Sequence, residues 1–253
     1  MVSSDAKIGV VVPTLGQRPE LIIECLRSIR KAGDCFIQLV APQSFDFLFL
    51  QKAGLIDGVV ADPSTGLAAA INTGIYTLPE NCEYVSWLGD DDLLMPNGLH
   101  DCQKVLLNDE KIVLVFGNCE YIDSKGDAIW RNSFGNLAIK LLKIGPCLIP
   151  QPGSLFRRDV FQKIGGLNTE FGWAFDFDLF IKFSKVGKIE YLNKDLAAFR
   201  WHSDSLTVKE RKKSVAEASR ARSTNQSRFV RILVSPLEPV IRVATLYGPK
   251  IFN

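Results

Sequence analysis

Val85-Ser86-Trp87-Leu88-Gly89-Asp90-Asp91-Asp92 runs from four mostly apolar residues through a glycine into three consecutive carboxylates. A buried strand that ends this way sets negative charge at the edge of a sheet, where water or a ligand must receive it. Unit charges about 4 Å apart repel by roughly 1 kcal/mol in water and by several times that in a partly buried cleft. Two readings account for such a cluster. It is a solvated turn whose aspartates cap a following helix, or it holds a hard divalent cation, which prefers carboxylate oxygens.

The residues before this stretch alternate between strand and helix patterns. Ile8 to Val12 is a continuous β-branched run, as expected of a central parallel strand covered on both faces. It stops at Pro13-Thr14-Leu15-Gly16, and Arg18-Pro19-Glu20 opens a helix with Leu21, Ile22, Cys25, Leu26 and Ile29 at helical spacing. Strands are predicted at Phe36 to Ala41, Val59 to Ala61, Tyr84 to Leu88 and Ile112 to Phe116, and helices at Ala68 to Ile75 and Leu99 to Leu107. This β-α-β alternation predicts an open, mainly parallel α/β sheet flanked by helices. Such sheets bind ligands beyond the C-terminal ends of their strands. Pro13-Thr14, Asp62 to Gly66 and Asp90 to Asp92 all fall at such ends and should converge on one crevice.

The second half is less regular. Asn118 to Arg131 reads as a hairpin turning at Asp123 to Asp127, Gln151 to Phe156 as a short extended piece, and Arg158 to Ile164 as a helix. Phe171 to Asp178 sets Asp176 and Asp178 among four aromatics, ahead of a helix predicted from Leu179 to Val186. Carboxylates beside large aromatics are partly desolvated, which raises their pKa and suits general-base work. Asp178 reads as the cap or orienter of that helix and Asp176 as the group facing a pocket. Ile189 to Leu192 and Leu196 to Trp201 read as two final strands leading to the loop residue His202, which is either a surface histidine or part of a metal or phosphate site. Neither a G-x-G-x-x-G after the first strand nor a P-loop is present, and the Cys/His pattern offers no zinc site.

In order and spacing these segments resemble the family 2 glycosyltransferases, inverting enzymes with the GT-A fold. The likeness rests on Val11 to Thr14 with Arg18 to Leu21, Gly66 to Ile75, Trp87 to Asp92 with Pro96, Gln151 to Arg158 with Ile164 to Leu167, Phe175 to Leu179, and Arg200-Trp201-His202. It covers about residues 7–206. The resemblance implies a GT-A-type fold with a catalytic domain over 1–206, comprising a nucleotide-binding half at about 7–117 and an acceptor half at about 118–206. It implies a metal-dependent, inverting transfer of a sugar from a nucleotide-diphosphate sugar, UDP being the leading nucleotide, to a hydroxyl of a glycan or lipid-linked acceptor. Pro13, Thr14, Asp62, Asn72 and Asp90 would contact the donor. Asp91, Asp92 and His202 would hold Mg2+ or Mn2+, Asp176 would be the base, and Gln151 and Trp173 would meet the acceptor. Trp87-Leu88-Gly89-Asp90-Asp91-Asp92 stands for the family's DXD motif. Three positions depart from the pattern: Ala41-Pro42-Gln43-Ser44 replaces an acidic pair, Ile71 stands where many members carry arginine, and Phe175 replaces the glutamate before the catalytic aspartate.

Beyond the likeness, residues 207–253 hold ten basic and three acidic residues and carry +7, so that with +2 for the whole chain the preceding 206 residues carry −5. This basic, amphipathic C-terminal extension reads either as a segment for the surface of an anionic membrane or as helices packed on the body or on a partner subunit, including a second copy in a homodimer. Nothing in the charge pattern calls for nucleic acid. The six cysteines are scattered among apolar neighbours, as buried reduced thiols in a reducing compartment would be. The N-terminus lacks the pattern of a signal peptide, and no uncharged apolar stretch reaches the roughly 20 residues of a membrane span. The expected location is therefore cytoplasmic, peripheral on the inner face of the cell membrane. Two other functions fit less well: a nucleotidyltransferase, which would normally show a glycine-rich basic loop after the first strand, and a non-catalytic nucleotide-sugar-binding or scaffold protein.

Overall fold

The computed structural model describes residues 8–201 and 210–251. His202 lies outside them. The first half alternates as expected: β1 (Ile8–Pro13), α1 (Pro19–Ala32), β2 (Phe36–Ala41), α2 (Leu48–Lys52), β3 (Gly58–Ala61), α3 (Leu67–Tyr76), β4 (Tyr84–Trp87), β5 (Leu93–Leu94) and α4 (Gly98–Asn108). There follow β6 (Ile112–Ile122), β7 (Ala128–Asn132), α5 (Asn136–Leu141), β8 (Leu155–Arg157), α6 (Arg158–Lys163), α7 (Phe175–Val186) and β9 (Lys188–Arg200). The extension forms α8 (Arg211–Asn225), α9 (Arg228–Val234), a 3-10 turn (Ser235–Leu237) and α10 (Glu238–Ile251).

One sheet runs β3-β2-β1-β4-β8-β6-β9-β5, with β7 beside β6. Strands β3, β2, β1 and β4 are mutually parallel. Beyond them the sheet is mixed: β8 lies antiparallel to β4 and β6, whereas β6 and β9 pair in parallel. Burial along β1 follows the two-residue period of a strand. Val11 faces a core shared with α3, α6 and α7. Val10 and Val12 face the opposite core, which holds Ile22, Cys25, Leu26 and Ile29 of α1 and Leu99, Cys102 and Leu106 of α4. Both faces are thus covered, which explains the continuous apolar run. In α3, Gly74 lets the helix settle on the sheet, because a Cβ there would collide with Val11 and Val40.

Three local expectations change. Helix α7 begins at Phe175, not Leu179, so Asp176 and Asp178 lie inside its first turn. Asp178 is not its cap: it is buried, ion-pairs with Lys182 one turn on at 2.7 Å, and accepts from Asn225 Nδ2 of α8 at 2.6 Å. The two final strands are one, β9, which carries register shifts where Asn118 meets it. All six cysteines are free; five are buried and Cys147 is half-buried.

The extension divides in two. Helix α8 packs on α7, with Val215 and Ala221 buried. Arg222 is almost fully enclosed; it grips Glu238 of α10 through both carboxylate oxygens (2.8 and 2.7 Å) and donates to the Gly145 carbonyl. Helices α9 and α10 instead turn apolar side chains outward, with Phe229 71%, Ile232 62% and Val240 66% exposed. Among the described residues no helix is long and apolar enough to cross a membrane.

Candidate active site

The C-terminal ends of the parallel strands meet because their hydrogen bonds continue past the strands. Thr14 N–H donates to the Val40 carbonyl, Leu88 N–H to Val11, and Asp62 N–H to Ala41. The three polar segments therefore open on one cleft of about 1550 Å3. Pro13, Thr14, Asp62, Asp90, Asp91, Asp92, Gln151, Trp173 and Asp176 all line it.

The acid cluster is tied together by its neighbours. Thr14 Oγ1 donates to Asp90 at 2.6 Å. Arg18, just ahead of α1, spans two carboxylates, reaching Asp90 at 2.7 Å and Asp91 at 2.5 Å. Asp92, 4% exposed, accepts the backbone N–H of Arg200 at 2.9 Å. The Arg200 guanidinium donates to the carbonyls of Asp91, Asp123 and Ser124 and pairs with Glu24 at 3.0 Å. Beneath the cluster, Cys25 Sγ donates to the Gly89 carbonyl. Burial, the nearby carboxylates adding to it, pushes that thiol well up, so it stays neutral.

Burial also raises the Asp90 carboxyl, against the Thr14 hydrogen bond and the Arg18 charge. Asp92 is raised well above the usual range by burial first and by the Asp91 charge second. For Arg18, burial opposes its charge, but Asp91 and Asp90 outweigh it and the guanidinium pKa rises. Arg18 thus pairs with two of the three carboxylates, and the third meets the Arg200 backbone. They are hard oxygen donors, the kind of group that suits a divalent cation. Among the described residues no group of three or more His, Cys, Asp or Glu side chains is placed to hold a metal ion.

Asp176 sits on another wall. Its carboxylate accepts the Phe177 N–H at 2.7 Å, and burial lifts its pKa to about 6 against the help of backbone N–H groups. A carboxylate poised there takes a proton readily near neutral pH. Phe175, in place of the family's glutamate, is buried and packs against Trp87 at 6.4 Å between ring centroids. Gln151 Nε2 donates to the Trp87 carbonyl at 2.8 Å.

Asn72 is not among the residues lining the cleft. Its side chain exchanges two 2.9 Å hydrogen bonds with the Leu167 backbone and fastens α3 to the loop after α6. The sequence shows no signal for this, because Asn72 lies in a helical pattern that also suits a donor contact. Arg18 and Arg200 were readable as a helix opener and a strand end within segments of the likeness, with no role assigned to either. A lone arginine near an acidic triad in space, but some 70 or more residues away in the chain, leaves no local pattern.

No protein-family profile matches the chain. Over 149 residues, 56% of this chain, it is 31% identical to an uncharacterized glycosyltransferase of Rickettsia typhi, spanning 46% of that protein. Over 151 residues, 60% of this chain, it is 26% identical to a chondroitin synthase of Pasteurella multocida, spanning 15% of it. The chain thus spans less than half the length of these relatives. In fold it matches a mannosyltransferase from Pyrobaculum calidifontis solved with GDP-Man and Mn2+, with a TM-score of 0.65 at 16% identity over 99% of this chain and 74% of the other. In sequence the chain is thus similar to glycosyltransferases over somewhat more than half its length, and its fold is that of the mannosyltransferase neighbour.

Proposed function

We propose that the cleft moves a sugar from a nucleotide-diphosphate sugar to a hydroxyl of a glycan or lipid-linked acceptor, with inversion at the anomeric carbon and with Mg2+ or Mn2+. The observation that carries this reading is the presence, on one cleft, of the Asp90 to Asp92 cluster and of Asp176 with a pKa near 6. Pro13, Thr14 and Asp62 would line the nucleotide and Asp90 the ribose. Asp91 and Asp92 would hold the ion, which when bound supplies Lewis-acid stabilisation of the diphosphate. The fold neighbour's complex with GDP-Man and Mn2+ supports this donor class and ion.

Asp176 would take the acceptor's O–H proton. The freed oxygen pair would form the new bond to the anomeric carbon on the face opposite the breaking C–O bond, whose electrons leave with the diphosphate. Gln151 and Trp173 would orient the acceptor. Residues 207–253 would bring the domain to the cytoplasmic face of an anionic membrane through α9 and α10. There Arg228 and Arg231 are exposed beside Phe229 and Ile232, the pattern of a helix lying in a charged interface.

Calorimetric titration with UDP, GDP and dTDP, each with and without Mn2+, tests the donor half. Metal-dependent binding of one nucleotide is the expected result. A folded protein that binds none of them would overturn the proposal.

A further inference from the structure

One carboxylate of the C-terminal extension reaches the wall of the cleft. Glu217 of α8 accepts the backbone N–H groups of Gly172 at 3.1 Å, Trp173 at 2.8 Å and Ala174 at 3.1 Å. Three successive amides turned on one carboxylate form an anion-holding concavity, and bonds to an ionised acceptor are the stronger kind. The loop needs an outside partner here, because Ala174, the residue capping α7, has no side chain that can hydrogen-bond. All three residues line the cleft, and Asp176 follows two residues later. Lys213, one turn before Glu217, sits 5.6 Å above the Trp173 ring. The Trp173 Nε1–H is buried with no hydrogen bond among the described residues. Ser214 and Ala218 of α8 also line the cleft.

We propose that Glu217 is a positioning residue of the acceptor side: it fixes the loop from Gly172 to Ala174 and so sets where Trp173 and Asp176 meet the acceptor. This rests on the reading of those two residues as acceptor groups. Glu217 lies outside the residues that carry the family likeness, so the extension completes a wall of the site. The donor cluster is held by Thr14, Arg18, Arg200 and Glu24. None of those contacts passes through this loop. Loosening the loop should therefore spare the donor.

Glu217→Gln in the full chain tests it. Glutamine keeps the size but offers one acceptor oxygen and two N–H donors to three N–H groups. The expected result is a fall of about tenfold or more in kcat/KM for the acceptor, with nucleotide affinity by calorimetry unchanged. Glu238→Gln is the control: it weakens the α10 partner of Arg222, which lies on the same helix as Glu217, without touching the loop. It should lower Tm at least as much and leave acceptor kcat/KM within about twofold. Wild-type acceptor kinetics in Glu217→Gln overturn the inference, as does a loss that both variants share in proportion to Tm. Asp176→Asn, measured alongside, separates the two claims. If it is inactive while Glu217→Gln behaves as wild type, the positioning role alone falls; if it turns over normally, the base assignment falls, and the acceptor KM of Glu217→Gln still reports on the loop.

Discussion

On the side of the cleft proposed for the donor the charged groups come from the ends of adjacent parallel strands, β1 and β4, and from the start of α1; on the side proposed for the acceptor the loop before Asp176 is held by a helix 43 to 45 residues further along the chain. The donor carboxylates have partners of their own: Thr14 and Arg18 for Asp90, Arg18 for Asp91, the Arg200 N–H for Asp92. Asp176, among the described residues, is met by backbone N–H groups alone and is lifted to about 6. Burial raises carboxyls on both sides, Asp90 and Asp92 as well as Asp176. The sides differ in what opposes it: Thr14, Arg18 and Arg200, drawn from distant parts of the chain, on the first, and the backbone at the start of α7 on the second.

Removing Arg200 should break the donor side most severely. It is buried and donates to three carbonyls and to Glu24. Arg200→Ala is expected to cost about 3 kcal/mol, since hydrogen bonds to charged groups are each worth roughly 1.5–3 kcal/mol and Asp92 loses the favourable charge of Arg200. Chemical denaturation measures this. An unchanged midpoint would mean that the donor cluster is not held in the way described.

Asp176→Asn should act in the opposite direction on stability. The folded pKa of about 6 lies above the ordinary 3.8, so the folded state holds the proton more tightly and loses stability as pH rises through that window. At pH 7 the ionised group costs the fold on the order of 2 kcal/mol, taking about 1.4 kcal/mol per unit and allowing for relaxation. The asparagine variant should therefore be more stable than wild type at pH 7, and the advantage should vanish near pH 4. Thermal melts at the two pH values decide this, and a variant less stable at both would show that Asp176 is not strained by burial.

The smallest effect on stability is expected at the surface. Phe229→Asp with Ile232→Asp alters only exposed side chains and should shift stability by less than about 0.5 kcal/mol. The pair should nonetheless abolish co-sedimentation with phosphatidylglycerol vesicles, while wild type pellets with these and not with phosphatidylcholine. Wild type that stays in solution with both would remove the membrane from the proposal.

Much of the donor side was legible because its determinants are local. The β-branched run of β1 and the Trp87 to Asp92 stretch each carry their structure in consecutive residues, and β2 fell at Phe36 to Ala41 as expected. The acceptor side was less legible because its determinants are distant. The aromatics of Phe171 to Phe177 read as lying ahead of the helix, but α6, α8 and the sheet bury them, and α7 starts four residues early. The polar Asn193-Lys194-Asp195 suggested a break in β9, but pairing with the long β6 carries the strand through. Glu217 looked like one acid in a basic helix, and only its meeting with three amides gives it a role.

The most direct test of the account is the pH dependence of sugar transfer by wild type and Asp176→Asn, using the donor whose nucleotide binds in the titration. Wild type should lose activity below an apparent pKa of about 6. The variant should transfer on the order of 10²–10⁴-fold more slowly, the usual worth of a general base, with metal-dependent nucleotide binding intact. A variant that transfers at the wild-type rate would contradict the central claim that Asp176 takes the acceptor's proton.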